Sequence, residues 1–157
     1  YDGSDCAKAA LIDLKRAGLP DDVEATVLSA ADVFLPPKTD DSDAEFPLYV
    51  PHGVKLARER ARNIFAEAEK LAVEAGEKLR ELFPNWTIKT EAVAQTPHWA
   101  IIEKSEALKP DLTVVGSQGR SAVGRFFLGS VSQKVLYEVS GSVRIARGSD
   151  ISLENPA

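Results

Sequence analysis

The sequence predicts an α/β fold in which helices cover both faces of a parallel sheet. Short apolar runs rich in β-branched residues alternate with helical patterns along the 157 residues. The run at 112–115 ends at a glycine and has the composition of a strand buried on both faces. A glycine-rich loop then leads into another helical pattern, as at ligand sites of open α/β sheets.

The chain opens on a strand end that leads into a helix. Ser4 or Asp5 can cap this helix by accepting hydrogen bonds from its first turn, and Gly18 followed by Pro20 ends it. The sequence contains no methionine and starts abruptly at Tyr1. We therefore expect the first strand upstream of Tyr1, which makes an open sheet of five strands with four helices.

The middle of the chain alternates strand, loop, helix and strand. Residues 23–31 are strand-like, and the acidic, proline-rich stretch 32–53 disfavours both helix and strand. We interpret 32–53 as an exposed insertion, with a lid or a partner-binding segment as the alternative. The longest helical pattern is 54–83, with a projecting end or a bend near Gly76. Residues 86–94 then read as a strand, at an edge of the sheet.

Two helical patterns and one strand complete the chain. Thr96 followed by Pro97 starts a helix over 96–108. The apolar residues that we expect to face inward from it are Trp99, Ile102 and Leu108. A further helix covers 130–139, and the amphipathic last strand, 142–147, suits a sheet edge or a dimer interface.

The loop after 112–115 has a defined glycine spacing. Gly116 is followed by two residues, Gly119, nine residues, Gly129 and then Ser130. Glycine lets backbone N–H groups approach a ligand, and the first N–H groups of a helix attract anions. The spacing matches neither common phosphate-loop pattern. The alternative is a crossover loop that binds nothing.

This spacing, directly after the run D-L-T-V-V, resembles the ATP-binding motif of the universal stress protein family. The opening Y-D-G-S-D resembles the first strand–helix junction of that family. The likeness covers nearly the whole chain, from Y-D-G-S to V-R-I-A-R, apart from 32–53. It implies strand order 3-2-1-4-5 with the upstream strand as the first, and a cytoplasmic homodimer formed through 142–147. It also implies that ATP, AMP or ADP binds beyond the carboxyl ends of the strands, where the strand order reverses, with or without Mg²⁺ or Mn²⁺. The family often carries a C-P-V run near the last strand, where this chain has G-S-V.

The resemblance also implies roles for individual residues. Asp2 and backbone groups of Ala30 or Ala31 would hold adenine and ribose, and Val115 would line the same pocket. Gly116 and Gly119 would let the backbone approach ribose and phosphate, and Gly129, Ser130 and Ser132 would bind phosphate oxygens through N–H and hydroxyl donors. Arg120 or Arg125 could pair with terminal phosphates. The predicted binding residues are Tyr1, Asp2, Ala30, Ala31, Val115, Gly116, Gly119, Arg120, Gly129, Ser130, Val131 and Ser132.

Composition and charge limit the classes of function. The chain is long enough for one domain, its net charge of −5 argues against nucleic-acid binding, and no apolar run approaches the ~18 residues of a membrane span. Between Gly116 and Ser132 no carboxylate or histidine could serve as a general base. We therefore favour a nucleotide-binding regulatory protein with slow or no hydrolysis. The alternatives are a slow ATPase in which Gln118 orients water, a non-binding, chaperone-like dimer, and a related adenylating or phosphotransfer enzyme.

Overall fold

A computed structural model describes residues 1–34, 52–120 and 128–147. The elements are α1 (Asp5–Asp13), a 3₁₀ turn (Leu14–Arg16), β1 (Glu24–Ala31), α2 (His52–Leu82), β2 (Thr87–Ala94), α3 (Pro97–Leu108), β3 (Leu112–Gly116), α4 (Ser130–Glu138) and β4 (Ser142–Ala146). Most of the expected insertion, 32–53, lies outside the described residues, as does Arg125. No helix in the described part of the chain is both long enough and apolar enough to cross a membrane.

The strands form two parallel pairs. β1 runs beside β2 from Glu24 opposite Thr87 to Ala31 opposite Ala94. β3 runs beside β4 in the same sense. Parallel strands alternating with helices confirm the mixed α/β architecture. Within the described residues, however, the pairs are two separate two-stranded sheets. They correspond to the neighbours 3-2 and 4-5 of the expected order, and the order of five strands itself stays a prediction.

The core lies between α2 and the β1–β2 pair. Its buried cluster consists of Leu14, Val27, Ala75, Leu79 and Trp86. Gly76 permits the close packing, since a Cβ atom there would collide with the side chain of Thr90 on β2. The Trp86 indole N–H donates to the Pro20 carbonyl at 3.1 Å, which satisfies the one polar group of this large buried side chain.

Helix α1 packs against the other pair, β3 and β4. Ser4 is its N-cap, as predicted, and the Ser4 hydroxyl accepts from the Ala7 N–H at 3.2 Å. At the far end of α1, the Arg144 guanidinium donates to Asp13 at 2.7 Å. This hydrogen bond, aided by the carboxylate charge, raises the pKa of Arg144 although partial burial opposes the charge. The pair therefore ties α1 to β4.

The predicted inward faces of two helices need correction. On α3, Ile102 is buried as expected, but Trp99 and Leu108 are 54 % and 53 % exposed. The residues that α3 buries are Ala100, Ile102 and Ser105 where it packs against β1 and α4, which leaves the two larger side chains outside. On α2, the apolar repeat over 54–83 predicts Ile64 on the inward face, but this side chain is also exposed. Thr96 precedes α3 as its N-cap but makes no side-chain capping hydrogen bond.

Candidate functional site

The loop after β3 is held between the starts of two helices. On one side, the Ser4 hydroxyl, at the start of α1, donates to the Gln118 carbonyl at 3.2 Å. On the other side, the Gly129 N–H, at the start of α4, donates to the Ser117 carbonyl at 2.7 Å. The carboxyl end of β3 and the amino ends of α1 and α4 therefore meet at the glycine loop.

Asp2 lies against this loop. One of its carboxylate oxygens, Oδ1, accepts from the Ser4 N–H at 3.0 Å. The other, Oδ2, is so close to Gly119 that a Cβ atom on this glycine would lie 3.0 Å from it. Two predicted site residues separated by most of the chain are thus brought together.

Helix α4 begins beside the loop with N–H groups that have no acceptor within the helix. Its N-cap is Gly129, which has no side chain to cap the helix, and the Gly129 carbonyl accepts from Gln133. The preceding N–H groups, those of Ser130, Val131 and Ser132, therefore have no acceptor within the helix. Such a helix start attracts anions. Gly129 itself has φ −63° and ψ 151°, which other residues adopt as well, so the backbone there does not require glycine.

The Ser132 hydroxyl has a hydrogen-bond acceptor within the chain. Ser132 is buried, and its Oγ donates to the Gly116 carbonyl at 2.7 Å. A serine hydroxyl has a single proton, so this hydroxyl does not also donate to a phosphate while the bond is present. Any anion contact at Ser132 would come from its N–H group.

Packing explains why glycine stands at position 116, and the sequence did not reveal this. A Cβ atom at this position would lie 2.9 Å from two backbone atoms of α1, the Ala7 nitrogen and the Cys6 carbonyl carbon. Glycine at 116 therefore allows the end of β3 to contact α1 directly. Its approach to ribose or phosphate stays a prediction beside this packing role. The next residue continues the sheet, as the Ser117 N–H donates to the Ala146 carbonyl at 2.6 Å.

The remaining predicted residues differ in their surroundings. The Tyr1 side chain packs against the core cluster, where burial and then the negative charges of Glu74 and Asp2 raise the pKa of its phenol. Ala31 is buried at the end of β1, whereas Ala30 and Val115 are half-buried. Arg120 is exposed. The Tyr1 ring therefore faces the core, and the Tyr1 nitrogen is also engaged, since it donates to the Leu28 carbonyl.

Two features were not predicted. Ser4 links Asp2, α1 and the loop, and the only sequence signal for it was the capping pattern. A depression of about 470 Å³ lies between the C-terminal ends of α3 and α4, where Ile102, Lys109 and Gly141 contribute to its lining. It adjoins the starts of β3 and β4 and so lies at the opposite edge of the sheet from the loop. Across the described ranges, no three acidic, histidine or cysteine side chains are grouped as metal ligands.

Comparisons with known sequences place this geometry in a family. The model of the universal stress protein family matches residues 1–147. A universal stress protein of Mycobacterium tuberculosis is 34% identical over 98 residues, which are 62% of this chain and 31% of the relative. One from Thermus aquaticus is 36% identical over 96 residues, covering 53% of this chain and 64% of the relative. The chain spans about a third of the length of the mycobacterial relatives it matches.

Solved structures share the fold. The hypothetical protein MJ0577 superposes with a TM-score of 0.74 at 19% identity, covering 96% of this chain and 93% of that one. A universal stress protein solved in complex with cAMP gives a TM-score of 0.54 at 21% identity, covering 95% and 93%. At these identities the structures establish the fold alone, whereas the family model covers nearly the whole sequence. The chain therefore belongs to the universal stress protein family.

Proposed function

We propose that this chain binds an adenine nucleotide, ATP, ADP or AMP, and acts as a nucleotide-dependent regulatory protein in a stress response. The observation that carries the proposal is the loop after β3, since it lies against the Asp2 carboxylate on one side and the start of α4 on the other. A carboxylate suits ribose hydroxyls or an adenine amino group, and a helix start suits phosphate. The related structure with cAMP, itself an adenine nucleotide, supports this choice.

The residues fit such a ligand in different ways. Asp2 Oδ2 would accept from the nucleoside, and half-buried Val115 and Ala30 would line its pocket. The N–H groups at the start of α4 would receive phosphate oxygens, and exposed Arg120 could pair with a terminal phosphate. A bound Mg²⁺ or Mn²⁺ would neutralise phosphate charge, with or without protein ligands.

The wider proposal covers the molecule and its location. We propose a single domain over 1–157 with strand order 3-2-1-4-5, present in the cytoplasm as a homodimer that pairs through 142–147. Hydrolysis would be slow or absent. Two alternatives are a slow ATPase and a stress protein that binds no nucleotide and acts as a chaperone-like dimer. The chain spans only part of the length of its mycobacterial relatives, so these proposals concern this chain and not the longer relatives.

The first prediction tests the Asp2 assignment. Replacing Asp2 with alanine removes the acceptor beside Gly119, so adenosine, AMP and ATP should all bind less tightly, by about 1–3 kcal/mol. Calorimetry on the purified protein measures this, and mass spectrometry of co-purified nucleotide identifies the natural ligand. Asp21→Ala, at an exposed aspartate before β1, is the control and should bind like wild type.

Each outcome of this experiment has a clear meaning. Wild-type protein that binds none of these ligands would exclude the nucleotide-binding function. Unchanged affinity in Asp2→Ala would remove Asp2 from the site. A loss confined to ATP would place Asp2 near phosphate or a metal instead of the nucleoside.

A further inference from the structure

Ser4 makes hydrogen bonds in three directions at the candidate site. Its N–H donates to Asp2 Oδ1 at 3.0 Å. Its hydroxyl oxygen accepts from the Ala7 N–H at 3.2 Å and donates to the Gln118 carbonyl, also at 3.2 Å. One partly buried side chain therefore contacts α1 and a loop that lies 114 residues further along the chain.

The hydroxyl is suited to this position because it both donates and accepts. Its one proton goes to Gln118, and a lone pair of the same oxygen receives the Ala7 N–H. Aspartate caps helices as well as serine does, but an ionised carboxylate has no proton to give a carbonyl. Threonine retains both abilities. The two functions of Ser4 can therefore be separated by substitution.

We propose that Ser4 is a positioning residue that holds the Asp2 carboxylate and the glycine loop in a fixed position relative to each other. The backbone of Ser4 orients Asp2, while its hydroxyl fixes Gln118, whose neighbour Gly119 faces Asp2 Oδ2. The acceptor and the loop backbone are thus arranged before a ligand arrives, which lowers the ordering cost of binding. The part of this proposal that concerns ligand affinity rests on the proposed nucleotide-binding function.

The competing explanation is that Ser4 only caps α1. Amide hydrogen exchange on ligand-free protein separates the two, with Ser4→Ala, Ser4→Asp and Ser4→Thr compared with wild type. If the hydroxyl holds the loop, amides of 116–120 should exchange at least about fivefold faster in both the alanine and the aspartate variants. Ser4→Thr should stay within about twofold of wild type, because it keeps the donor.

Two controls accompany the exchange measurement. Exchange within β2 should not change, which shows that the loop effect is not general destabilisation. Thr96→Ala removes a capping residue that makes no side-chain capping bond, and it should leave 116–120 unchanged. Loop exchange at the wild-type rate in Ser4→Asp would overturn the proposal, because the cap alone would then explain Ser4.

Ligand binding provides the second readout. Adenosine, which carries no phosphate, should bind Ser4→Ala about three- to tenfold more weakly and Ser4→Thr as tightly as wild type. A looser loop with unchanged adenosine affinity would overturn the positioning role. Wild-type protein that binds no adenosine or nucleotide would instead overturn the proposed function and the affinity part of this proposal. The exchange comparison would still decide whether Ser4 holds the loop.

Discussion

The three glycines of the predicted motif have different structural roles. Gly116 leaves room for the backbone of α1, Gly119 leaves room for the Asp2 carboxylate, and Gly129 has an ordinary φ and caps α4 without a side chain. The sequence predicted their common location but treated them as one kind of residue. Spacing shows where a chain lacks Cβ atoms, whereas the partner that occupies each space depends on tertiary contacts.

Gly119→Ala tests the contact with Asp2. Among the described residues Gly119 is not one of the glycines with positive φ, so alanine should be tolerated by the backbone. Its Cβ would lie 3.0 Å from Asp2 Oδ2, the end of a side chain that can rotate away. We expect stability within about 0.5 kcal/mol of wild type but roughly tenfold weaker adenosine binding. Thermal unfolding and calorimetry measure the two effects.

The control for this substitution is Gly53→Ala, since a Cβ at Gly53 would meet nothing within 4 Å. It should leave adenosine binding unchanged and should raise stability by at most about 1 kcal/mol, because Gly53 lies in α2 and alanine is the better helix former. If Gly119→Ala binds adenosine as tightly as wild type, then the contact between Asp2 and the loop does not contribute to binding.

At the scale of elements, the sequence predicted which segments are helices and strands better than it predicted which face of each helix is buried. β1 begins one residue after the expected start, and α2 begins at His52 instead of 54. Trp99 and Leu108 were assigned to the wrong environment because an apolar periodicity shows a stripe without showing what packs on it. Only the arrangement of α3 against β1 and α4 decides that, and it depends on distant parts of the chain.

Gly116→Ala tests the packing of α1 against β3. Here the added Cβ would meet backbone atoms at 2.9 Å, and they cannot move without displacing the whole helix start. We expect a loss of about 1–3 kcal/mol in the free energy of unfolding, measured by urea denaturation. Gly53→Ala again serves as the control. Stability equal to that of wild type together with lost nucleotide binding would show that Gly116 acts at the ligand and not in packing.

At the scale of the molecule, the meeting of Asp2 and the loop could be predicted, because parallel strands end at one edge of the sheet. The hydrogen bond between Ser4 and Gln118 could not be predicted, since a capping pattern indicates only the helix that is capped and no other partner. The pair Asp13 and Arg144, which connects α1 to β4, had no local signal either. Both ends of α1 are thus tied to the β3–β4 half by contacts between residues far apart in sequence.

The last prediction concerns whether the whole molecule acts as a switch or as a catalyst. The sequence from Gly116 to Ser132 contains no carboxylate or histidine, so we expect ATP turnover far below the ~1–100 s⁻¹ typical of kinases. Bound ATP would act by ordering the loop, because the N–H groups at the start of α4 attract its phosphates. Hydrogen exchange with and without ATP should show increased protection at 116–120 and 128–132, and a smaller change in β2.

A phosphate-release assay decides between the two modes. Gln118 is the one side chain between Gly116 and Ser132 that we predicted could orient a water molecule, and its carbonyl is already positioned by Ser4. Gln118→Ala should therefore leave ATP affinity within about twofold of wild type and leave phosphate release slow. Asp2→Ala should reduce both ATP binding and the protection of the loop. Fast steady-state phosphate release that disappears in Gln118→Ala while ATP affinity is retained would show that the protein is an ATPase in which the glutamine amide takes part.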